Sequence, residues 1–334
     1  MVTPRELVRR TVEFENRGRV PRQMWLLPWA LNHFPDEIKA IQEKYPDDII
    51  GAPNTCKTAL QVKGDPFEIG TYVDEWGCVW ENEQRGIVGQ MKDPVIKTWD
   101  DMDKFRKPEE LLTIDVEKVN DFCRSTDKFV LAGCCPRPFE RVQFLRGSEE
   151  VFVDLALGTP EFFELLKTVH DFYMKKLEVW SKMNVDAIFF MDDWGSQNSL
   201  LISPATWRKV FKPLYKEYID IAHSAGKKAF MHSDGYISEI IPDLIELGLD
   251  AVNSQIFCMG VEELGRKYKG KITFWGEIDR QHILPEGSVD DIRQAVKLVK
   301  DSLYENGGAI AQCECGAAIV PANIEAVFET WDSM

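Results

Sequence analysis

The chain has 334 residues, 44% of them hydrophobic, enough to bury a large core as one big α/β domain or two ordinary ones. Its 40 basic and 55 acidic residues leave a net charge of −15, which argues against nucleic acid and against anionic membrane surfaces, since both would repel it. No run approaches the ~20 apolar residues of a spanning helix, and the opening MVTPRELVRRTVEFENRGR lacks an apolar signal core, so a cytoplasmic protein with its eight cysteines as thiols is expected.

In chain order, short apolar strands alternate with amphipathic helices. The first strand is expected at Gln23–Trp29 (QMWLLPW) and the second at Asp48–Pro53 (DIIGAP). From Cys56 to about Pro94, IGTYVDEWGCVWENEQRGIVGQM is rich in Gly, Tyr, Trp and Val and reads as a β-hairpin inserted after the second strand. The third strand is Phe129–Cys134 (FVLAGC). The helix GTPEFFELLKTV then starts with Thr159 as N-cap and Pro160 at the first helical position. The fourth strand, Ala187–Asp192 (AIFFMD), leads to ISPATWRKVFKPLYKEYI, where Ser203 and Pro204 repeat that signature. The fifth, sixth and seventh strands are Lys228–His232, Ala251–Ser254 and Thr273–Glu277. In GSVDDIRQAVKLVKDSL, Ser288 is the cap with Asp291 three residues on, and the apolar period runs through Ile292, Val296, Val299 and Leu303. The eighth strand is Ala309–Cys313.

Eight strand–helix repeats with no linker predict a single (β/α)₈ TIM barrel over residues 1–334. A doubly wound sheet would need a Gly-rich phosphate turn after an early strand, and none is present. Barrel chemistry sits at the C-terminal strand ends. Those ends offer Trp25 and Trp29; Cys134, Cys135 and Arg137; Asp192, Asp193 and Trp194; His232 and Asp234; Asn253 and Gln255; Trp275 and Glu277; and Cys313, Glu314 and Cys315. Residues two apart on a strand share a face, so His232 pairs with Asp234 and Cys313 with Cys315, while Ala309 and Ala311 suit a tight interior. Histidine, thiolate and carboxylate at one mouth form a zinc set with an open fourth position. The plainer alternative is a hydrogen-bonded core histidine and inert thiols. Asp192 and Asp193 face opposite sides, so one of them also suits a cap or loop contact. Each tryptophan suits either a substrate wall or packing.

AIFFMDDWGSQNSLLISPATWRKVFKPLYKEYIDIAHSAGKKAFMHSDGYISEIIPDLIELGLDAVN resembles the uroporphyrinogen decarboxylase superfamily, as do VQFLRGSEEVFVDLALGTPEFFELLKTV and the opening TPRELVRRTVEFENRGRVPRQMW. The resemblance implies a (β/α)₈ barrel and two kinds of enzyme. True decarboxylases carry an Arg-Gln-Ala-Gly-Arg stretch that answers a polycarboxylate tetrapyrrole. Here PRQMWLLPW keeps only Arg22 and Gln23, with no second arginine. The other kind are zinc methyltransferases of corrinoid systems, with His-x-Cys after the fifth strand and a cysteine at the eighth. Here His232-Ser233-Asp234 has Asp234 where that first cysteine is usual, and a gapless count from PANIEAVFETW selects Cys313 over Cys315.

The resemblance therefore implies zinc on His232 and Cys313 with Glu277 or Asp234 third. Asp192, Asp193 and Asn253 would position substrate, and Trp25, Trp29, Trp194 and Trp275 would bind it. An oxygen donor in place of sulfur makes zinc the stronger Lewis acid, suited to polarising a methyl ether, as in anaerobic O-demethylation of methoxylated aromatics. Without an Asp-x-His-x-x-Gly motif, the cobalamin is expected on a separate corrinoid protein, with a small-molecule methyl donor as the second partner. The alternatives are methyl transfer from the corrinoid to a thiol or tetrahydrofolate, a decarboxylase, and a metal-free binding barrel.

Overall fold

A computed structural model describes residues 2–334; Met1, the first residue of the expected single domain, lies outside them. The expected barrel is present. Its eight strands are β1 (Arg22–Leu26), β2 (Ile49–Gly51), β6 (Phe129–Leu131), β7 (Ala187–Met191), β8 (Lys228–Ser233), β9 (Ala251–Ser254), β10 (Thr273–Trp275) and β11 (Ala309–Cys315). β3 to β5 belong to the insertion described below. The sheet order is β1-β11-β10-β9-β8-β7-β6-β2, and every paired strand runs parallel. The β1–β2 seam is closed differently. One backbone bond joins Asp48 N to Arg22 O (2.9 Å), and side chains finish the closure. Asp47 Oδ1 accepts from Met24 N (2.7 Å), Asp48 Oδ2 accepts from Arg22 N (2.8 Å), and Gln23 Nε2 donates to Ile49 O (3.2 Å).

Apart from β2, where Ile50 is half-buried and Gly51 exposed, the strands are buried on both faces. Ile49, Phe129, Leu131, Ala187, Phe230, Ala251, Trp275 and Ile310 fill the barrel interior, with Trp25 and Phe189 packed on them. Their neighbours Met24, Val130, Ile188, Met231, Val252, Phe274 and Ala311 join the core shared with the helices. This double burial is what parallel strands under helices require.

The insertion has one strand more than expected. β3 (Gly70–Val73), β4 (Val79–Asn82) and β5 (Gln90–Asp93) form an antiparallel three-stranded sheet. Trp29 N donates to Gly86 O (2.9 Å), Arg141 pairs with Asp74 (2.7 Å), and Trp80 packs edge-on against Phe144 (4.8 Å). Those contacts fix the insertion over the C-terminal end of the barrel, beside the Pro138–Arg146 helix. Ser203 and Ser288 cap their helices as expected, and Ser288 with Asp291 forms a full capping box. Thr159 does not cap with its side chain. Gly158 ends the preceding helix in the left-handed region (φ 71°), and the Thr159 amide turns back to Asp154 O (3.0 Å).

Candidate functional site at the barrel mouth

His232 ends the apolar run of β8 and is 4% exposed, facing the interior against Trp25 (ring centroids 5.1 Å apart). Asn253, opposite it on β9, takes its Nδ1 at 2.5 Å. The Asn253 amide is itself oriented, because its Nδ2 donates to Trp275 O. Oδ1 is therefore the acceptor, Nδ1 carries the proton, and Nε2 is left as a lone-pair donor into the mouth. Around Nε2 stand Asp234 Oδ1 at 3.5 Å and Asp193 Oδ1 at 3.6 Å. Asp193 Oδ1 also accepts from Asp234 N at 2.9 Å.

The loops after β7 and β8 cross here backbone to backbone. A Cβ on Gly195 would stand 2.3 Å from Tyr236 N, and one on Gly235, at φ +78°, 2.2 Å from Gly195 O. That is why a glycine follows His232-Ser233-Asp234: any side chain would push Asp193 and Asp234 apart.

Four carboxylates share this space: Asp193, Asp234, Glu277 and Glu314. Arg280 bonds Asp234 Oδ2 and Glu314 Oε2 (2.7 Å) and lies 3.6 Å from Glu277. One guanidinium does not balance four carboxylates. Asp234 Oδ1 and both oxygens of Glu277 are buried without a hydrogen-bond partner. Burial pushes the Glu277 carboxyl up to about 7, only partly offset by Arg280. Burial pulls the His232 imidazolium down, but the carboxylates of Asp234, Asp193 and Glu277 outweigh it, so its pKa lies above the ordinary histidine value. Asp193, His232 and Asp234 present ligand atoms within 4.8 Å of one another. Excess negative charge, orphaned carboxylate oxygens and a free Nε2 fit a divalent cation.

Several expected site residues lie elsewhere. Met24 is in register with Cys313, and Trp25 with Glu314. Paired residues of parallel strands share a face, so Glu314 points inward with Trp25, while Cys313 and Cys315 join the outer core. Cys313 therefore does not meet His232. Its contact with Cys315 and its burial hold its thiol pKa well above the ordinary value. Asp192 also faces outward and is fully buried. It accepts from Phe139 N (3.0 Å), Glu140 N (2.8 Å) and the Tyr215 hydroxyl (2.5 Å), so it caps the Pro138–Arg146 helix and touches no substrate space. Trp194 is fully buried in that same layer, stacked on Phe139 at 4.1 Å. Trp275 is fully buried in the interior core. Trp25 and Trp29 are half-buried, Trp25 on His232 and Trp29 stacked on His33 at 3.9 Å.

Arg280 and Glu140 join the site without having been expected from the sequence. Arg280 lies three residues past Glu277, in the loop after β10. Glu140 sits in the first turn of the Pro138–Arg146 helix; burial raises its pKa, and it feels both Asp193 and His232. Neither has a sequence signature: Arg280 stands in a loop, where no facing rule applies, and the Pro138–Arg146 helix buries Arg141 and Arg146 as well as its apolar residues, so it shows no clean apolar face.

A model of the uroporphyrinogen decarboxylase family matches residues 66–334. Among solved structures, a methyltransferase from Methanosarcina mazei superposes with a TM-score of 0.65 at 14% identity, over 100% of this chain and 99% of its own. A B12-independent methionine synthase from Shewanella sp. W3-18-1, in complex with selenomethionine, superposes with a TM-score of 0.50 at 11% identity, over 95% of this chain and 96% of its own. At those identities the likeness is one of fold. No curated protein matches the chain in sequence. Among the described residues, no helix is long and apolar enough to cross a membrane.

Proposed function

The chain belongs to the uroporphyrinogen decarboxylase family, and on that premise we propose that it is a zinc-dependent methyltransferase. It would move a methyl group between a small methoxylated aromatic substrate and the cobalt of a separate corrinoid protein. The observation that carries this reading is the His232 Nε2 lone pair set between two carboxylates at 3.5 and 3.6 Å. Asp193, His232 and Asp234 would hold the metal; bound there, it supplies Lewis acidity toward an ether oxygen.

The chain's own groups do the rest. Asn253 fixes the His232 tautomer. Arg280 holds Asp234 by its second oxygen, leaving Oδ1 turned to His232. Trp25, packed on His232, borders the space where the methoxy group would meet the metal. Glu277, whose two oxygens are buried beside the cluster without hydrogen-bond partners, is placed to take up or hand on a proton there. The decarboxylase reading loses its arginine. Arg22 lies at the start of β1, away from the mouth, and pairs with Asp332 at 2.8 Å.

The test joins metal content to turnover. The purified chain should hold about one zinc and should methylate a cobalt(I) corrinoid protein from a methoxylated aromatic. His232→Ala and Asp234→Asn should each lose metal by an order of magnitude or more, while Cys313→Ser keeps it. Full occupancy in His232→Ala would sink the ligand assignment. Methylcobalt losing its methyl to a thiol, with no aryl ether reacting, would reverse the direction.

A further inference from the structure

A second cavity, of about 370 Å³, lies under the inserted sheet and beside the mouth. Aromatic side chains make its walls, among them Trp80 and Phe144. Its charged lining is three cations, Arg137, Arg141 and Lys176, and two anions, Asp74 and Glu75, so one positive charge is left over. Arg141 is not the surplus. It bonds Asp74 at 2.7 Å, lies 3.8 Å from Glu75 and stacks on Trp76 and Phe144.

The surplus is Lys176. It is 6% exposed, yet among the described residues it makes no ion pair and no hydrogen bond within the usual limits. Arg137 is nearly as poorly served, with only the sulfurs of Met191 and Cys135 and a Glu140 oxygen 3.8 Å away. The nearby thiols are not counter-ions. Burial pushes Cys134 up to about 12 and raises Cys135 and Cys56, so all three stay neutral. Burying an unpaired ammonium is costly, and burial accordingly lowers the Lys176 pKa. A carboxylate entering the cavity that Lys176 lines would answer this charge. The Arg137 side chain also touches Met191, and Met191 is in register with His232, so the Arg137 end of the cavity lies one strand from the His232 cluster.

We propose that this cavity binds an aromatic carboxylate, its ring against Trp80 and Phe144 and its carboxylate on Lys176 and Arg137. Together with the methyl-transfer reading, on which this extension rests, it makes the methyl donor a methoxylated aromatic acid. A neutral aryl ether would leave Lys176 unanswered. The volume suits a single ring with small substituents.

Binding tests this apart from turnover. Titrate the full chain with benzoate, 4-methoxybenzoate and methoxybenzene, following heat or tryptophan fluorescence. Both acids should bind, and methoxybenzene should bind more than about tenfold more weakly. Lys176→Met should lower acid affinity by on the order of 10- to 100-fold, the worth of a charge-assisted bond, and leave methoxybenzene unchanged. The melting temperature should not fall, since an unpaired buried charge is removed. Should that variant fail to fold, Arg137→Gln at a half-buried position reads the same loss. Acid affinity unchanged in either folded variant, or methoxybenzene binding as tightly as the acids, overturns the assignment. Lysine-dependent acid binding without any methyl transfer to cobalt would leave this site standing and remove the methyltransferase. Equal demethylation of methoxybenzene and methoxybenzoate would do the reverse.

Discussion

His232 and Asp192 end neighbouring strands, and the difference between them is which way one side chain points. Asn253 holds the His232 ring at 2.5 Å and is held in turn by Trp275 O. Asn253→Ala frees the ring to rotate and to change tautomer. Metal affinity should fall about 10- to 100-fold, the usual effect of losing such an outer partner, as chelator competition will measure. Asp192 carries no such role. Its carboxylate satisfies two helix-start amides and the Tyr215 hydroxyl in a fully buried place. Asp192→Asn weakens that set, so the variant should lose roughly 1–2 kcal/mol of stability while keeping metal and activity per folded molecule. A stable Asp192→Asn protein that has lost methyl transfer about 10²-fold would return the residue to catalysis.

At the scale of elements, sequence gives strand positions well and strand facing poorly. The expected bounds Ala251–Ser254 are those of the structure, and the other seven barrel strands differ only at their ends. An amphipathic helix declares its buried face by period. A strand buried on both faces does not, because apolar residues fill both sets of alternate positions. The alanines Ala309 and Ala311 suited a tight interior as well as a close helix contact, and in the structure they pack outward with Cys313 and Cys315. The facing is set by the register with β1, which places Glu314 beside Trp25, and nothing within the eighth strand encodes it. Asp234 and Glu277 were legible because they stand where strands end at the mouth; Arg280 comes from a loop. Helix starts follow the same division between local and distant control. Ser288 Oγ accepts from Asp291 N (3.3 Å), and Asp291 Oδ2 accepts from Ser288 N (2.8 Å), a reciprocal pair that sequence spacing alone specifies. Thr159 offers the same kind of hydroxyl but makes no cap bond, since Gly158 has already turned the chain. Ser288→Ala should therefore cost about 1 kcal/mol in urea unfolding, and Thr159→Ala well under about 0.5. Equal losses would mean that residue type, not geometry, decides these caps.

At the scale of the whole molecule, the barrel closes through two adjacent aspartates with opposite energetics. Asp48 is 1% exposed and accepts from Arg19 Nη1 and Nη2 at 2.7 and 2.6 Å, and from Arg22 N at 2.8 Å. It is fully answered, and Asp48→Asn should destabilise the protein by roughly 2–3 kcal/mol at neutral pH. Asp47 is half-buried and accepts from Met24 N at 2.7 Å, with no ion pair within 4 Å. Burial outweighs that one bond and the more distant Lys128 and Arg22, raising its pKa from 3.8 to about 6. A carboxyl whose folded pKa is raised favours folding while it is protonated. Its contribution is complete below about pH 4 and is lost as pH climbs through 6, when the buried group must ionise. Asp47→Asn keeps the oxygen that Met24 needs and removes the ionisation. The variant should match the natural protein at pH 4 and exceed its stability at pH 8 by about 3 kcal/mol, an order-of-magnitude figure from the two-unit difference. Urea unfolding at both pH values measures it, with the metal chelated so that the mouth does not contribute. A variant less stable at pH 8 would mean that Asp47 is held ionised at the seam, and that the closure depends on both charges.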